Sequence, residues 1–245
     1  MIKVGVIGCK GRMGVEVCRA VEAAPDLDLV AAVDAGDDYA PLQAADVIVE
    51  FTVPRATMAN VQWCIENGLD VVVGTTGYDE ERLATVRGWL EGRPSRVLIA
   101  SNFSIGSILM MRFAELAAPY FESVEIIEFH HPDKVDAPSG TAVTTARRIA
   151  AARAAAGVAP SPDATETDPL GARGASIDGV HVHAVRQRGL FANQEVRLGN
   201  EGEQLVITEN GFARSAYMPG VLAAVRGIGS LTGFTFGIEG LLGLA

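Results

Sequence analysis

The N-terminal part of the chain alternates between short apolar runs rich in β-branched residues and stretches with helical periodicity. The runs KVGVI, DLVAAVD, DVIVEF, DVVVG and RVLIA predict strands, and helices are predicted over 11–24, 56–67 and 80–90. Continuous apolar strands separated by helices are typical of a parallel sheet covered on both faces. The pattern therefore predicts a Rossmann-type, doubly wound α/β fold for this part.

The pattern changes after Ser101. A predicted helix over 105–121 leads into the strand SVEIIEFHH, and a helix rich in Ala and Arg follows from Thr141 to about Ala156. Residues 157–179 are predicted to form a long loop, either functional or a flexible connection. The runs HVHAVRQ, GLFANQEVRLG and QLVITENG predict strands joined by turns. A second, α+β domain with a mixed or antiparallel sheet is expected, followed by a helical tail over 219–231 and the run FTFGIEG.

Composition narrows the class of partner. The net charge is −10 over 245 residues and the isoelectric point is about 4.9, which argues against nucleic acid and anionic membranes as partners. There is no apolar run of about 18 residues, and the N-terminus enters a predicted strand without a signal peptide. The three cysteines form no Cys-x-x-Cys pair, so free thiols in a reducing cytoplasm are expected.

A glycine-rich loop, GCKGRMG, follows the first strand and opens the first helix. It has one residue more between its first two glycines than the dinucleotide-binding pattern G-x-G-x-x-G. The physical needs are the same, because the backbone must turn tightly and approach a pyrophosphate at the helix N-terminus. The alternative is a glycine turn with no ligand. The loop predicts dinucleotide binding by Gly8, Cys9, Lys10, Gly11, Arg12 and Met13.

The second predicted strand ends at Asp34, about 20 residues after Gly14, which is the spacing of a ribose-binding acid. Such an acid accepts hydrogen bonds from a ribose 2′-hydroxyl and repels a 2′-phosphate. The next residue is Ala35, not an arginine that would pair with that phosphate. NADH is therefore the predicted preferred coenzyme, with some use of NADPH through Lys10 or Arg12.

Two further stretches, GTTG and ASNF, follow predicted strands at the edge where ligands bind in such sheets. Their small and hydroxyl side chains allow a nicotinamide to approach, although ordinary strand-to-helix turns explain them equally well. The candidate coenzyme contacts here are Gly74, Thr75, Thr76, Ala100, Ser101, Asn102 and Phe103.

The segment EFHHPDKVDAPSGT combines three chemical groups in a short space. His130 and His131 supply imidazoles that exchange protons near neutral pH, and Lys134 supplies a fixed positive charge. Ser139 is suited to cap the helix near Thr141, whose first backbone amides form an anion site. The segment predicts a site that holds a carboxylate substrate and protonates it.

Zinc is the competing chemistry for the histidines, but adjacent histidines diverge on a strand and no cysteine or His-x-x-x-His pair accompanies them. No metal site is therefore predicted. His181 and His183 share one face of their strand, and a polar strand face is as good an interpretation as substrate contact.

Together, GCKGRMG, GTTG, ASNF and E-x-HH-x-x-K-x-DAPSGT resemble the 4-hydroxy-tetrahydrodipicolinate reductase family, also called dihydrodipicolinate reductases, along the whole chain. The resemblance implies NAD(P)H-dependent reduction of a cyclic imine dicarboxylate in the diaminopimelate and lysine pathway, by a homotetramer. It implies a dinucleotide-binding domain of residues 1–102 and 215–245, and a substrate-binding and oligomerisation domain of residues 103–214.

The same resemblance assigns roles to single residues. His130 is the implied acid–base residue and Lys134 the implied proton donor. The implied substrate contacts are His131, Gly140, Thr141 and Arg214. Where some family members have an acid followed by arginine, this chain has Asp34-Ala35, so the choice of coenzyme is the point at which it departs from them.

Two other functions share part of this pattern. Another NAD(P)-dependent dehydrogenase of amino or keto acids would need the glycine loop but not HH-x-x-K-x-DAPSGT. A non-catalytic nucleotide-sensing protein would have no use for both His130 and Lys134.

Overall fold

The computed structural model describes residues 1–244 and divides into two compact units. One consists of Met1–Ile105 with the chain from Arg214 onward, and the other of Gly106–Ala213. The breaks therefore differ by one to three residues from the predicted boundaries of 102/103 and 214/215. Phe103 stays with the first unit because its ring packs 5.7 Å from that of Phe51.

The first unit contains a six-stranded sheet in the order β11-β5-β4-β3-β1-β2, and all neighbouring strands are parallel. Most of its valines and isoleucines are almost fully buried, as expected of strands covered on both faces. The predicted Rossmann-type fold is confirmed. The strands are β1 (Ile2–Ile7), β2 (Leu27–Val33), β3 (Val47–Glu50), β4 (Asp70–Val73), β5 (Val97–Ile99) and β11 (Phe234–Phe236).

The helices of this unit follow the predicted ones within a residue or two, except that the tail helix ends earlier. The Asp79 side chain caps the third of them by accepting a hydrogen bond from Arg82 N. The tail adds β11 beside β5, so the C-terminal segment completes the sheet. The helices are α1 (Arg12–Ala23), α2 (Thr57–Glu66), α3 (Glu80–Trp89) and α6 (Met218–Gly227).

The second unit contains a five-stranded mixed sheet in the order β10-β9-β6-β8-β7, which confirms the predicted α+β class. The central pair β6–β8 is parallel and the other pairs are antiparallel. The strands are β6 (Ser123–His130), β7 (Ala175–Ile177), β8 (Val180–Arg186), β9 (Ala192–Asn200) and β10 (Glu203–Gly211), and the helices are α4 (Ile105–Ala117) and α5 (Gly140–Ala155).

The prediction of a long loop over 157–179 was wrong at its C-terminal end, where β7 pairs with β8. Asp178 and Gly179 form the connecting turn with φ values of 49° and 86°, and an Asp-Gly pair is well suited to that left-handed conformation. The Arg173 guanidinium ties this segment to β6 through an ion pair with Glu125, and a second ion pair, with Asp163, lies within the segment. Only the C-terminal end of the predicted loop is thus a strand, at the edge of the second sheet.

No helix among residues 1–244 is long and apolar enough to cross a membrane.

Candidate active site

The candidate coenzyme residues of the first unit follow the carboxyl ends of its parallel strands. Gly8 follows β1, Asp34 follows β2, Gly74 follows β4 and Ala100 follows β5. In a parallel sheet these ends lie along the same C-terminal edge of the sheet, which is where such folds bind their ligands. The topology therefore collects the four predicted segments along that edge.

The glycine loop has the form that a pyrophosphate requires. Gly8 has a φ of 90°, and a Cβ there would lie 2.2 Å from the carbonyl oxygen of Phe51. A Cβ on Gly14 would lie 2.0 Å from the carbonyl oxygen of Gly8, so the helix can pack this close only with glycine. Gly11 caps α1 without a side chain, and the first turn carries Arg12 but no acid. The first amides of α1 therefore suit an anion, and the loop fits a dinucleotide.

The acidic end of β2 fixes the glycine loop. The Asp34 carboxylate accepts hydrogen bonds from the backbone N–H groups of Lys10 and Ala35, each at 2.8 Å. The Lys10 ammonium lies 3.3 Å from Asp37, whose carboxylate also accepts the Asp34 N–H. Those hydrogen bonds, first from Asp34 and then from Lys10, lower the pKa of Asp37. The predicted reach of Lys10 toward a 2′-phosphate is thus opposed by an acid that already pairs with it.

The remaining residues of the loop differ in exposure. Cys9 and Met13 are half-buried, and Gly11 and Arg12 are exposed. Burial is the main factor that raises the pKa of the Cys9 thiol. Cys9 therefore contributes to the loop as a small, largely protonated side chain.

The GTTG and ASNF segments offer fewer side chains than predicted. Thr75 is buried and accepts the N–H of Thr52 at 2.7 Å, and Ala100 and Phe103 are buried in the first unit. The side chains left at the surface of this edge are Thr76, Ser101 and, in part, Asn102. The buried residues can therefore offer a ligand only their backbone.

The loop after β3 was not among the segments predicted for the site. Glu50, which ends that strand, is fully buried and accepts hydrogen bonds from Thr52, from Thr57 at 2.9 Å and from Asn60 at 3.0 Å. The Phe51 ring fills the space beside Gly74, where a Cβ would lie 2.0 Å from a ring carbon. The sequence did contain a signal for this loop. The run DVIVEF was predicted as a strand of the same parallel sheet, so its carboxyl end should lie beside that of the strand before GTTG.

In the second unit, β6 ends with the histidine predicted to transfer protons. His130 Nδ1 lies 2.5 Å from Oε2 of Glu128, a fully buried residue that the sequence analysis had not assigned. Arg186 of β8 pairs with both oxygens of this carboxylate at 2.8 Å. Burial alone would raise the pKa of Glu128, but the hydrogen bonds from His130 and Arg186 lower it to about 2. Glu128 is therefore ionised at neutral pH.

The next residues form a turn that carries the predicted cation. Lys134 N donates to the carbonyl oxygen of His131 at 3.2 Å, and its ammonium lies 2.7 Å from Asp136. This hydrogen bond is the main factor that lowers the pKa of Asp136. His131 lies beside Phe191, and its Nδ1 is buried without a hydrogen-bond partner among the described residues. A buried nitrogen of this kind suits a polar ligand.

The N-terminus of α5 lies directly after this turn. Ser139 caps the helix by accepting Ala142 N at 3.2 Å, and no acid is present in the first turn. Ser139 donates its own N–H to Glu128 at 3.1 Å, so the predicted anion site is reduced to the amides of Gly140 and Thr141. A Cβ at Gly140 would meet no atom within 4 Å. Gly140 is exposed, and its amide and that of Thr141 belong to the first turn of α5, at the positive end of the helix.

Arg214, His181 and His183 lie outside the segment that carries His130, Lys134 and Gly140. Arg214 belongs to the first unit, in the 3₁₀ helix Arg214–Tyr217, whereas the other substrate candidates belong to the second. His183 Nε2 lies 2.8 Å from Glu125, and His181 Nδ1 lies 2.7 Å from the carbonyl oxygen of Arg173. By strand register both histidines lie on the sheet face opposite to His130. They anchor the edge of the sheet.

Comparisons with known proteins agree along the whole chain. The family models "Dihydrodipicolinate reductase, N-terminus" and "Dihydrodipicolinate reductase, C-terminus" match residues 2–103 and 106–242. The 4-hydroxy-tetrahydrodipicolinate reductase of Cutibacterium acnes is 57% identical over 245 residues, covering 100% of both chains. That of Thermobifida fusca is also 57% identical, over 246 residues and 100% of both chains.

Solved structures show the same relationship. A dipicolinate-bound dihydrodipicolinate reductase from Paenisporosarcina sp. TG-14 is 34% identical, with a TM-score of 0.84 over 98% of this chain and 99% of that one. A probable dehydrogenase from Thermotoga maritima has a TM-score of 0.65 over 99% of this chain and 93% of that one. Its identity is 12%, so it shares the fold alone.

Proposed function

The chain belongs to the dihydrodipicolinate reductase family and is an NAD(P)H-dependent reductase of 4-hydroxy-tetrahydrodipicolinate, in which, we propose, His130 and Lys134 handle the protons. The observation that carries this proposal is the grouping of an imidazole, an ammonium and an open helix N-terminus at the carboxyl end of β6. These three groups suit the reduction of a dicarboxylate, because two negative groups must be held while a proton is delivered.

The coenzyme is held by the first unit in this proposal. The α1 amides with Gly8, Cys9, Lys10, Gly11, Arg12 and Met13 hold the pyrophosphate, and Asp34 holds the ribose. Gly74, Thr75, Thr76, Ala100, Ser101, Asn102 and Phe103 border the nicotinamide, several of them through backbone alone. When bound, the nicotinamide supplies the hydride, and the protein's part is to bind, orient and protonate.

The substrate is held by the second unit. One carboxylate binds the amides of Gly140 and Thr141, and the other binds the Lys134 ammonium in competition with Asp136. His131 is the further substrate contact proposed for this segment. Arg214 stays the further candidate cation, as the family resemblance implies.

The proton reaches the substrate from the same segment. His130 exchanges a proton at Nε2, the ring nitrogen not used by Glu128. Lys134 donates one proton from Nζ to the carbon skeleton after the hydride has arrived. The substrate's 4-hydroxyl group leaves as water, so that one hydride and one proton balance the reduction. Both groups are partly buried, which strengthens their electrostatic effect on a charged substrate.

We further propose that NADH is preferred over NADPH. Asp34 and Asp37 place two carboxylates beside the loop, and Asp37 engages the Lys10 ammonium. A 2′-phosphate would meet like charge there and would have to displace Asp37 from Lys10. The homotetramer implied by the family and the expected cytoplasmic location stay predictions, the first of which native mass spectrometry tests.

The reaction is tested by measuring coenzyme oxidation. The substrate is made in situ by the synthase that catalyses the preceding step of the pathway. We expect substrate-dependent loss of reduced nicotinamide absorbance, with a higher kcat/KM for NADH than for NADPH. Absence of oxidation with either coenzyme, from protein shown to bind NADH, would contradict the proposed reaction. A higher kcat/KM for NADPH would contradict only the coenzyme preference.

A further inference from the structure

The Glu128 carboxylate contacts three different parts of the candidate site of the second unit. Its side chain is fully buried, and each of its oxygens has two donors. Oε1 accepts Ser139 N at 3.1 Å and Arg186 Nη2 at 2.8 Å. Oε2 accepts Arg186 Nη1 at 2.8 Å and lies 2.5 Å from His130 Nδ1. One carboxylate thus joins the histidine to the turn that begins α5.

The charge of Glu128 determines which nitrogen of His130 carries hydrogen. An ionised carboxylate can only accept hydrogen bonds, so the contact with Nδ1 requires a hydrogen on that nitrogen. In the neutral ring, Nε2 is then the unprotonated nitrogen and the one able to take up a proton. The same contact fixes the direction in which the ring points.

We infer that Glu128 is a positioning residue for the reduction, holding His130 in one tautomer and orientation and tying it to the amides of Gly140 and Thr141 through Ser139. Arg186 completes the arrangement, because its guanidinium neutralises the buried carboxylate and also donates to the carbonyl oxygen of Asp136 at 2.8 Å. The inference rests on the proposed role of His130. It adds a cause for that role, since the proton-transferring group and the anion-binding turn share one support.

A second glutamate of β6, Glu125, has contacts similar to those of Glu128. Glu125 also contacts a histidine, His183 at 2.8 Å, and an arginine, Arg173 at 2.5 Å. Its side chain is about one third exposed, at 35%, whereas that of Glu128 is not exposed at all. It lies on the opposite face of the sheet and contacts the edge segment instead of α5. A Glu–His–Arg contact is therefore common to both, and only Glu128 connects to the anion-binding turn.

The test compares Glu128→Gln with Glu125→Gln. For Glu128→Gln we expect kcat to fall roughly 10- to 100-fold, a part of the 10²–10⁴-fold that acid–base catalysis supplies. We expect a smaller change in substrate KM and an unchanged Kd for NADH. Glu125→Gln should retain the kcat of the unaltered enzyme. Ring-nitrogen NMR of histidine-labelled protein should show a single Nδ1–H tautomer for His130 before substitution and a mixture in Glu128→Gln.

A folded Glu128→Gln enzyme with unaltered kcat and a single Nδ1–H tautomer would overturn the inference. Should that variant fail to fold, the tautomer of His130 in the unaltered enzyme decides: Nδ1–H supports the inference and Nε2–H overturns it. Failure of the proposed function would be seen in a different variant. Full activity of His130→Ala would show that His130 does not transfer the proton, whatever the result for Glu128→Gln.

Discussion

The ammonium of Lys10 lies 3.3 Å from the carboxylate of Asp37, three residues beyond the acid predicted to bind the ribose. Both side chains are largely exposed, so the pair adds little to stability. We propose that it bears on the coenzyme, since Lys10 is one of the two loop cations, with Arg12, predicted to meet a 2′-phosphate. In the proposed coenzyme preference, Asp37 acts against NADPH by its charge and by pairing with Lys10.

Asp37→Asn should increase the use of NADPH. Removing the carboxylate releases Lys10 and removes a like charge, so kcat/KM for NADPH relative to NADH should rise severalfold. Steady-state kinetics with both coenzymes measures this ratio. Asp38→Asn is the matched control, because Asp38 accepts the nearby Ala40 N–H and, within residues 1–244, forms no ion pair with Lys10. An unchanged ratio in Asp37→Asn would show that Asp37 does not set the preference.

Ser139→Ala should weaken both the fold and substrate binding. Loss of the hydrogen bond to Ala142 N removes a helix cap, which costs about 1 kcal/mol of unfolding free energy. The Gly140 and Thr141 amides follow this cap directly, so the substrate KM should rise. Urea unfolding and steady-state kinetics measure the two effects.

Asp79→Ala is the control for that prediction, because Asp79 caps α3 through Arg82 N in the same way. It should lose a similar amount of stability and keep its substrate KM. If both variants raised the KM equally, the effect of Ser139 would come from general destabilisation.

The pKa of Glu128 predicts how stability changes in acid. The pKa is about 2 in the folded protein against an ordinary value of 4.5, because hydrogen bonds from His130 and Arg186 outweigh burial. The carboxylate therefore stabilises the fold fully above about pH 4.5, and this contribution is lost as the pH falls toward 2.

Urea unfolding between neutral pH and about pH 3 measures this contribution. The free energy of unfolding should fall less steeply with acid in Glu128→Gln than in the unaltered protein. Glu201→Gln, an exposed residue of the turn between β9 and β10, should follow the unaltered protein. Equal slopes for Glu128→Gln and the unaltered protein would mean that Glu128 has no lowered pKa.

Local patterns were enough for most of the fold. β-Branched runs identified the strands of the first unit, and the segment EFHHPDKVDAPSGT placed His130, Lys134 and the α5 cap together because they are close in sequence. Glu128 belongs to this segment, but no role was predicted for it. Its role depends on Arg186 in β8, which lies 58 residues away in the sequence. No periodicity indicates that β8 is the parallel neighbour of β6. The pairing of Asp37 with Lys10 is hidden for the same reason.

Lys134→Ala tests the central claim most directly, because Lys134 is the proposed proton donor and is absent from the coenzyme-binding unit. Turnover should fall by roughly 10²-fold or more, the amount expected on loss of a proton-transfer group. The Kd for NADH, measured by fluorescence, should be unchanged. The neighbouring Val135→Ala, at a fully exposed side chain, controls for disturbance of the turn and should retain activity. Full turnover in Lys134→Ala would contradict the assignment of the active site.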